Sequence, residues 1–250
     1  MSAPIGREHP TGIQFNSEKL IVSEVFGPTF QGEGPSVGRR CSFLRLGACN
    51  LQCSFCDTPY TWDWAGKNGK RYDPEEELLQ RSVQEIWDAL VHHHTDMLVI
   101  TGGEPMLQQR RLEPLLRLAH ANAWRVEIET AGTVAPNEHI GDLVTQFNVS
   151  PKLANSGNHL HKRYRPDILN AFQATGRAAW KFVATTPQDL DEVEAIVQRH
   201  QLQPIYIMPE ATDAEALTGR LRLLAEDVLA RGWNVTTRLQ IALYGNQRGV

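Results

Sequence analysis

The chain has 250 residues, 41% hydrophobic and 22% charged, the balance of an ordinary globular protein. Its 25 basic and 29 acidic residues leave a formal net charge of -4, which argues against an electrostatic grip on nucleic acid. No apolar run approaches the ~20 residues that a membrane-spanning helix needs. Residues 1–19 are polar and rich in proline and glycine, with no apolar stretch; they read as a loose leader, not a secretory signal, and the expected location is the cytoplasm.

Segments 20–26 (LIVSEVF) and 40–46 (RCSFLRL) read as strands. A loop holding three cysteines follows. The next element is a helix opened by Asp73 as cap and Pro74 in its first turn, with Leu79, Val83, Ile86 and Leu90 as its buried stripe. From residue 96 short apolar runs alternate with helical patterns: strands at 96–101, 124–129, 146–150, 179–184 and 204–208, and helices near 106–121, 187–200 and 212–231. Gly232 is placed to stop the last of these helices, and 233–243 reads as a closing strand. Strand–helix alternation implies an α/β fold with a mainly parallel sheet and right-handed crossovers. No repeat or linker divides the chain, so one domain over 20–250 with a short C-terminal extension is expected. Such sheets carry function in the loops beyond their strands' C-terminal ends. That rule selects 47–64, 102–105, 130–133, 150–152 and 209–210.

All four cysteines fall between 41 and 56. Cys41 lies inside a strand pattern and reads as a buried thiol. Cys49, Cys53 and Cys56 stand as C-x3-C-x2-C in a loop. A disulfide framework would spread its cysteines across the fold, so this cluster points to a metal. Three thiolates on a four-iron cubane leave one iron open to a further ligand. The rival reading is a structural zinc site completed by a histidine from 92–94. Those histidines sit at a helix C-terminus and otherwise read as structural or solvent-facing. Tyr60, Trp62 and Trp64 are expected to pack over the cysteine loop.

C-x3-C-x2-C followed by Gly102-Gly103-Glu104-Pro105 after a strand resembles the radical SAM superfamily. The resemblance implies a [4Fe–4S] cluster on the three cysteines and S-adenosylmethionine (SAM) on the open iron. Reduction there yields a 5′-deoxyadenosyl radical. Phe55 corresponds to the aromatic set against adenine, and Gly103 to backbone meeting the methionine portion. More closely, the chain is similar to the 7-carboxy-7-deazaguanine synthase family from about residue 20 onward. The matching phrases are FQGEG (30–34), FLRLG (43–47), CDT (56–58), ITGGEP (100–105), IETAGT (128–133) and VSPK (149–152).

That likeness implies a partial (β/α) barrel, a homodimer, Mg²⁺, and an electron donor such as flavodoxin. It also implies conversion of 6-carboxy-5,6,7,8-tetrahydropterin to 7-carboxy-7-deazaguanine with loss of ammonia. Arg45 offers a planar fork for the pterin carboxylate. Gln31, with backbone at Phe30 and Gly32, suits the pterin amide edge, and Thr101 adds a hydroxyl. Thr58 is carried over as a Mg²⁺ ligand. Ser150, Pro151 and Lys152 would line the SAM ribose or carboxylate, and Glu129 and Thr130 would neighbour SAM or substrate. Met208-Pro209-Glu210 occupies a SAM-contacting turn in which Met208 replaces glutamine. Glu33 and Glu104 either cap their turns or meet ligand. Gln240 stands near a position where relatives carry histidine, and the tail from Tyr244 is expected to close the pocket. Two alternatives stay open: an activase that makes a glycyl radical on a partner protein, and a non-catalytic Fe–S or zinc module.

Overall fold

A computed structural model describes residues 18–250. The leader expected over 1–19 therefore lies, apart from its last two residues, outside the described residues. Nine strands form one sheet in the order β3-β1-β2-β4-β5-β6-β7-β8-β9. They are β1 (Leu20–Phe30), β2 (Arg40–Leu46), β3 (Leu79–Arg81), β4 (Met97–Gly102), β5 (Arg125–Thr130), β6 (Gln146–Val149), β7 (Ala178–Ala184), β8 (Ile205–Pro209) and β9 (Asn234–Val235). β1 pairs antiparallel with β2 and β3; every pairing from β2 to β9 is parallel. With β3 and β9 left as edges, the sheet is an open partial barrel. The α/β, mainly parallel fold expected from the sequence is the one observed.

The helices are α1 (Pro74–Glu77), α2 (Val83–Val91), α3 (Gln109–Ala121), α4 (Glu138–Gly141), α5 (Leu160–Arg163), α6 (Pro166–Ala174), α7 (Asp189–His200), α8 (Ala214–Ala230) and α9 (Leu239–Tyr244). Gly232 follows α8 at φ 70°, the left-handed stop expected of it. Two expectations fail. The helix from Asp73 is broken: Asp73 caps α1 by accepting from the Glu75 amide, but that helix ends at Glu77. Residues 79–81 then pair with β1, and a new helix, α2, starts at Ser82, whose side chain and Glu85 form a reciprocal capping box. Leu79 is therefore 51% exposed, while Ile86 and Leu90 are buried. The closing strand at 233–243 shrinks to β9. Arg238 and Gln240 turn inward at and within α9, where they line the cleft described below.

Residues alternate across the central strands with period two. Leu98, Ile100, Val126, Ile128, Phe147, Val149, Trp180 and Phe182 face the helices and join the main core with residues from α2, α3, α6, α7 and α8. Cys41, Met97 and Val99 form a second apolar cluster with Phe43 against them. Cys41 is fully buried, and burial pushes its thiol up to about 12. This matches the inert role read from its place in the strand.

Gln108, just before α3, bolts two parts of this frame together. Its Oε1 accepts from Ile21 N at 2.8 Å, and its Nε2 donates to Ile21 O at 3.0 Å and Gly47 O at 3.1 Å. Gln108→Ala takes this partner from Ile21 N and Gly47 O, while Ile21 O keeps the Gly47 amide at 3.0 Å. At ~1–3 kcal/mol for each unmade bond, we expect a loss of several kcal/mol. A urea unfolding midpoint that stays at the wild-type value would contradict this.

Candidate active site

The cysteine loop leaves β2 at the C-terminal end of the first parallel strand. Its root is pinned by close backbone approach. Gly102 has φ 138°, and a Cβ on it would lie 2.1 Å from Leu46 O; a Cβ on Gly103 would lie 1.9 Å from Ala48 O. Gly102, which ends β4, and Gly103 are thus required by backbone packing against the end of β2 and the start of the cysteine loop. Glu104 is settled as structural. Fully buried, it accepts from Thr130 Oγ1 at 2.7 Å, Ala131 N at 2.8 Å and Met106 N at 3.1 Å, clamping the loop after β4 to the end of β5.

Each of the three sulfurs accepts an N–H. Leu51 N reaches Cys49 at 3.4 Å, Asn158 Nδ2 reaches Cys53 at 3.3 Å, and Trp62 Nε1 reaches Cys56 at 3.3 Å. Burial pushes all three thiols up, Cys49 to about 12, so without a metal they stay protonated. N–H donors aimed at sulfur are the surroundings of thiolates that carry a cluster. Among the described residues no three His, Cys, Asp or Glu side chains converge as a single-ion site requires. A zinc ion would need that convergence, with Zn–S bonds of ~2.3 Å. The histidines make local bonds. His92 Nδ1 bonds Asp88 O at 2.6 Å, His93 Nδ1 bonds Ser42 Oγ at 3.0 Å, and Arg40 binds the carbonyls of His93 and His94. The three N–H-bonded sulfurs of one short loop fit a [4Fe–4S] cluster.

The cysteines open into one cleft of about 240 Å³. That is more than tenfold the ~10–15 Å³ a single water needs by the same measure, so it is ligand-sized. Its lining includes Phe30, Gln31, Gly32, Arg45 and Thr101. It also includes Phe55, Gly103, Glu129, Thr130, Ser150, Lys152, Met208 and Glu210, with Thr58 beside the cysteines. Pro151 and Pro209 hold the backbone between these residues and do not line the space.

Local contacts fix several of these side chains. Arg45 Nε donates to Glu24 at 2.6 Å, its guanidinium lies 5.4 Å from the Phe26 ring centre, and Tyr60 OH donates to the same Glu24 oxygen at 3.2 Å. The terminal nitrogens of Arg45 have no hydrogen-bond partner among the described residues. Lys152 Nζ donates to Ser150 O at 3.0 Å and Ser150 Oγ at 2.9 Å. Arg220 holds the Glu210 carboxylate. The Thr58 hydroxyl is 3.7 Å from Cys56 Sγ and caps no helix. Tyr60 and Trp62 are buried beside the loop as expected, and Trp64 is half-buried. The tail reaches the cleft too. Val250 lines it, and Arg248 stacks 3.8 Å from the Tyr60 ring centre and donates to Glu77 at 2.7 Å and to Glu24.

The cleft floor is a buried charge network that the sequence reading missed. Lys181 on β7 is 4% exposed and donates to Glu33 at 2.5 Å and Glu129 at 2.7 Å. Arg238 bridges Glu33 and Asp57. Gln240 donates to Glu33 at 2.9 Å, Gln31 to Glu129 at 3.1 Å, and Asn148 to Glu129 at 2.9 Å and Glu127 at 3.0 Å. Burial alone would raise the Glu33 carboxyl, but Lys181 and Arg238 outweigh it and hold it at about 2. Glu129 shares only Lys181 and faces Glu33 and Glu127, so burial wins and raises it. A signal was available. In RVEIET and AAWKFVA the charged residues alternate with apolar ones, which in a sheet covered by helices assigns them to the opposite, barrel-interior face.

Residues 45–167 match the family model of the radical SAM superfamily, and with the fold and the three N–H-bonded sulfurs this makes the chain a radical SAM enzyme. The 7-carboxy-7-deazaguanine synthase of Pyrobaculum aerophilum is 35% identical over 236 residues, spanning 92% of this chain and 97% of that protein. The synthase of Bacillus subtilis is 30% identical over 250 residues, spanning 92% and 98%. The chain belongs to the 7-carboxy-7-deazaguanine synthase family. In fold it is similar to the crystal structure of QueE from Escherichia coli, at a TM-score of 0.66 and 24% identity over 88% of this chain and 93% of that one. A lower likeness, TM-score 0.50 and 13% identity, links it to Streptococcus suis SuiB bound to S-adenosylmethionine, covering 79% of this chain and 53% of that one.

Proposed function

We propose that this protein converts 6-carboxy-5,6,7,8-tetrahydropterin to 7-carboxy-7-deazaguanine, releasing ammonia. The observation that carries the reading is one cleft in which Arg45, steadied by Glu24, faces the space the cysteine sulfurs open into. When bound, the cluster and SAM supply a radical able to abstract hydrogen. The chain's own residues bind and orient. Arg45 presents its two terminal nitrogens to the substrate carboxylate, its Nε being spent on Glu24. Gln31 and backbone at Phe30 and Gly32 pair the pterin amide edge, with Thr101 completing that set. Glu33, kept ionised, is an acceptor for the ring's N–H groups and joins this set.

For SAM, Phe55 meets adenine, Gly103 the methionine portion, and Glu129, Ser150 and Lys152 the ribose and carboxylate, with Pro151 fixing the backbone between the last two. Met208, Pro209 and Glu210 form the far edge. Thr58 contributes one oxygen to Mg²⁺, and the substrate supplies others, since no convergent protein set exists among the described residues. The core at 20–250 acts as one domain whose tail, through Val250, narrows the cleft. A one-electron donor such as flavodoxin, a homodimeric state and a cytoplasmic location complete the reading; among the described residues no helix is long and apolar enough to cross a membrane. The activase alternative has no support from the family relatives.

The test is an anaerobic assay of the reconstituted protein on the carboxy-tetrahydropterin, with and without Mg²⁺. Absence of product from protein that cleaves SAM would refute the reading. Arg45→Lys loses the planar fork. We expect kcat/KM to fall roughly 10–150-fold, the equivalent of ~1.5–3 kcal/mol, mainly through KM. An unchanged KM would remove Arg45 from the site.

A further inference from the structure

Glu24 and Arg45 are cross-strand neighbours on β1 and β2, yet they meet through a single hydrogen bond. Glu24 Oε2 accepts from Arg45 Nε at 2.6 Å and from Tyr60 OH at 3.2 Å. The terminal nitrogens of Arg45 have no partner among the described residues. An arginine and a carboxylate this close commonly form a two-pronged pair, with the second oxygen on a terminal nitrogen. Here the second oxygen is already taken. Glu24 Oε1 accepts from Arg248 Nε, in the tail that follows α9.

Several contacts hold Arg248 in this place. Its Nη1 donates to Glu77 on α1 at 2.7 Å, its Nη2 donates to Ser23 Oγ at 3.4 Å, and its guanidinium lies 3.8 Å from the Tyr60 ring centre. Glu24, Tyr60 and Phe26 are the side chains that surround the Arg45 guanidinium, and Arg248 touches the first two of them. The Arg248 side chain is itself 41% exposed. Ion pairs so open to water add little to the stability of a fold, so loss of Arg248 is felt at the cleft and not in the core.

We infer that Arg248 is a positioning residue for substrate binding: by occupying one oxygen of Glu24 it keeps the terminal nitrogens of Arg45 open for the substrate carboxylate. Without the Arg248 guanidinium, Glu24 Oε1 has no cation of its own. The Glu24 carboxylate then turns to close the two-pronged pair on Arg45, and an internal carboxylate fills the seat of the ligand's. Substrate has to break that pair before it binds. Tyr60, whose hydroxyl shares Oε2, also loses the cation stacked on its ring. The inference rests on the reading of Arg45 as the partner of the substrate carboxylate and adds the residue that sets its availability. Arg248 stands two residues before Val250, which lines the cleft, so closure by the tail and readiness of Arg45 are one event.

The deciding measurement is the rate at which phenylglyoxal modifies Arg45, followed by peptide mass mapping, beside steady-state kinetics of the reconstituted protein with the carboxy-tetrahydropterin. The reagent attacks terminal guanidinium nitrogens, which on Arg45 are free in the wild type. Arg248→Gln is expected to slow modification of Arg45 about fivefold or more. In the same variant KM should rise about tenfold, with kcat within about twofold of wild type. Arg248→Lys keeps a charge for Oε1 without the stacked, planar donor set, and is expected to fall between the two. In a Glu24→Gln background no carboxylate remains to close on Arg45, so adding Arg248→Gln should change either readout by less than about twofold. An Arg45 modification rate that stays at the wild-type value in Arg248→Gln would overturn the inference. So would an effect of equal size with and without the Glu24 carboxylate, which would assign it to the bulk of the tail. If the protein does not turn over the pterin, the functional reading falls, while the modification rates, taken without substrate, still decide the role of Arg248.

Discussion

Replacing Cys49, Cys53 or Cys56 singly by alanine is expected to abolish turnover and cut iron from about four per chain to a small fraction, with the fold retained. The three side chains sit in a loop whose shape is held by other contacts. Thr61 O accepts from Ala48 N at 2.9 Å, Ser156 O from Ser54 N at 3.0 Å, and the Gly102–Gly103 turn braces the root. Cys53 is buried and Cys49 and Cys56 half-buried, and without metal their thiols are neutral, so their removal leaves no unpaired charge. Cys41→Ala is the contrast. It empties part of a packed cluster with Met97 and Val99 and is expected to cost about 1–2 kcal/mol of stability while keeping full iron content. Iron and sulfide analysis beside urea unfolding separates the two classes. Full iron content in any loop variant would overturn the cluster assignment.

Much of this site was legible because it is written in residue types whose chemistry admits few uses. Thiolates at short spacing in a loop, and glycines at a strand's end, announce themselves without the fold. The strands were equally plain where both faces are buried, as in β4, whose apolar run has no competing period. The failures have physical causes. Leu79, Val83, Ile86 and Leu90 do keep a helical spacing, but Ser82 and Glu85 form a stronger local signal, a capping box, and the three residues before it gain ladder bonds to β1. The stretch from Thr236 lost its strand to long-range demands: Thr236 Oγ1 accepts from Gly34 N at 2.8 Å, Leu239 N donates to Gly32 O at 3.0 Å, and Arg238 is drawn to Glu33 and Asp57. No local pattern encodes partners some two hundred residues away. The chemical reason for the 30–34 phrase emerges only when this segment and β7 close upon it.

Lys181→Met is expected to be the most damaging substitution outside the cysteines. Lys181 is the cation shared by Glu33 and Glu129; it is buried, and the two carboxylates are half-buried. Removing one partner from such a network costs about 3–5 kcal/mol, a large share of the ~5–15 kcal/mol that holds a domain together. The two carboxylates respond differently. Glu129 takes up a proton, since burial and the charges of Glu33 and Glu127 already raise its pKa. Glu33 keeps Arg238 and the Gln240 amide and stays ionised near neutrality. The pH dependence follows from the sign of the shift. Glu33 titrates at about 2 in the fold against an ordinary 4.5, so its contribution to stability is present above 4.5 and is lost as pH falls toward 2. With Lys181 gone, one of the two cations holding that pKa down is absent, and the acid limb of the unfolding curve should move to higher pH. Lys181→Arg, which keeps the charge, should restore part of the limb. The same substitution loosens Gln31 and Gln240, which donate to these two carboxylates, so KM for the pterin should rise in Lys181→Met even in the fraction that remains folded. Equilibrium unfolding from pH ~3 to 8, with steady-state kinetics at neutral pH, reads both effects. An acid limb that does not move would show that Glu33 owes its ionisation to Arg238 alone.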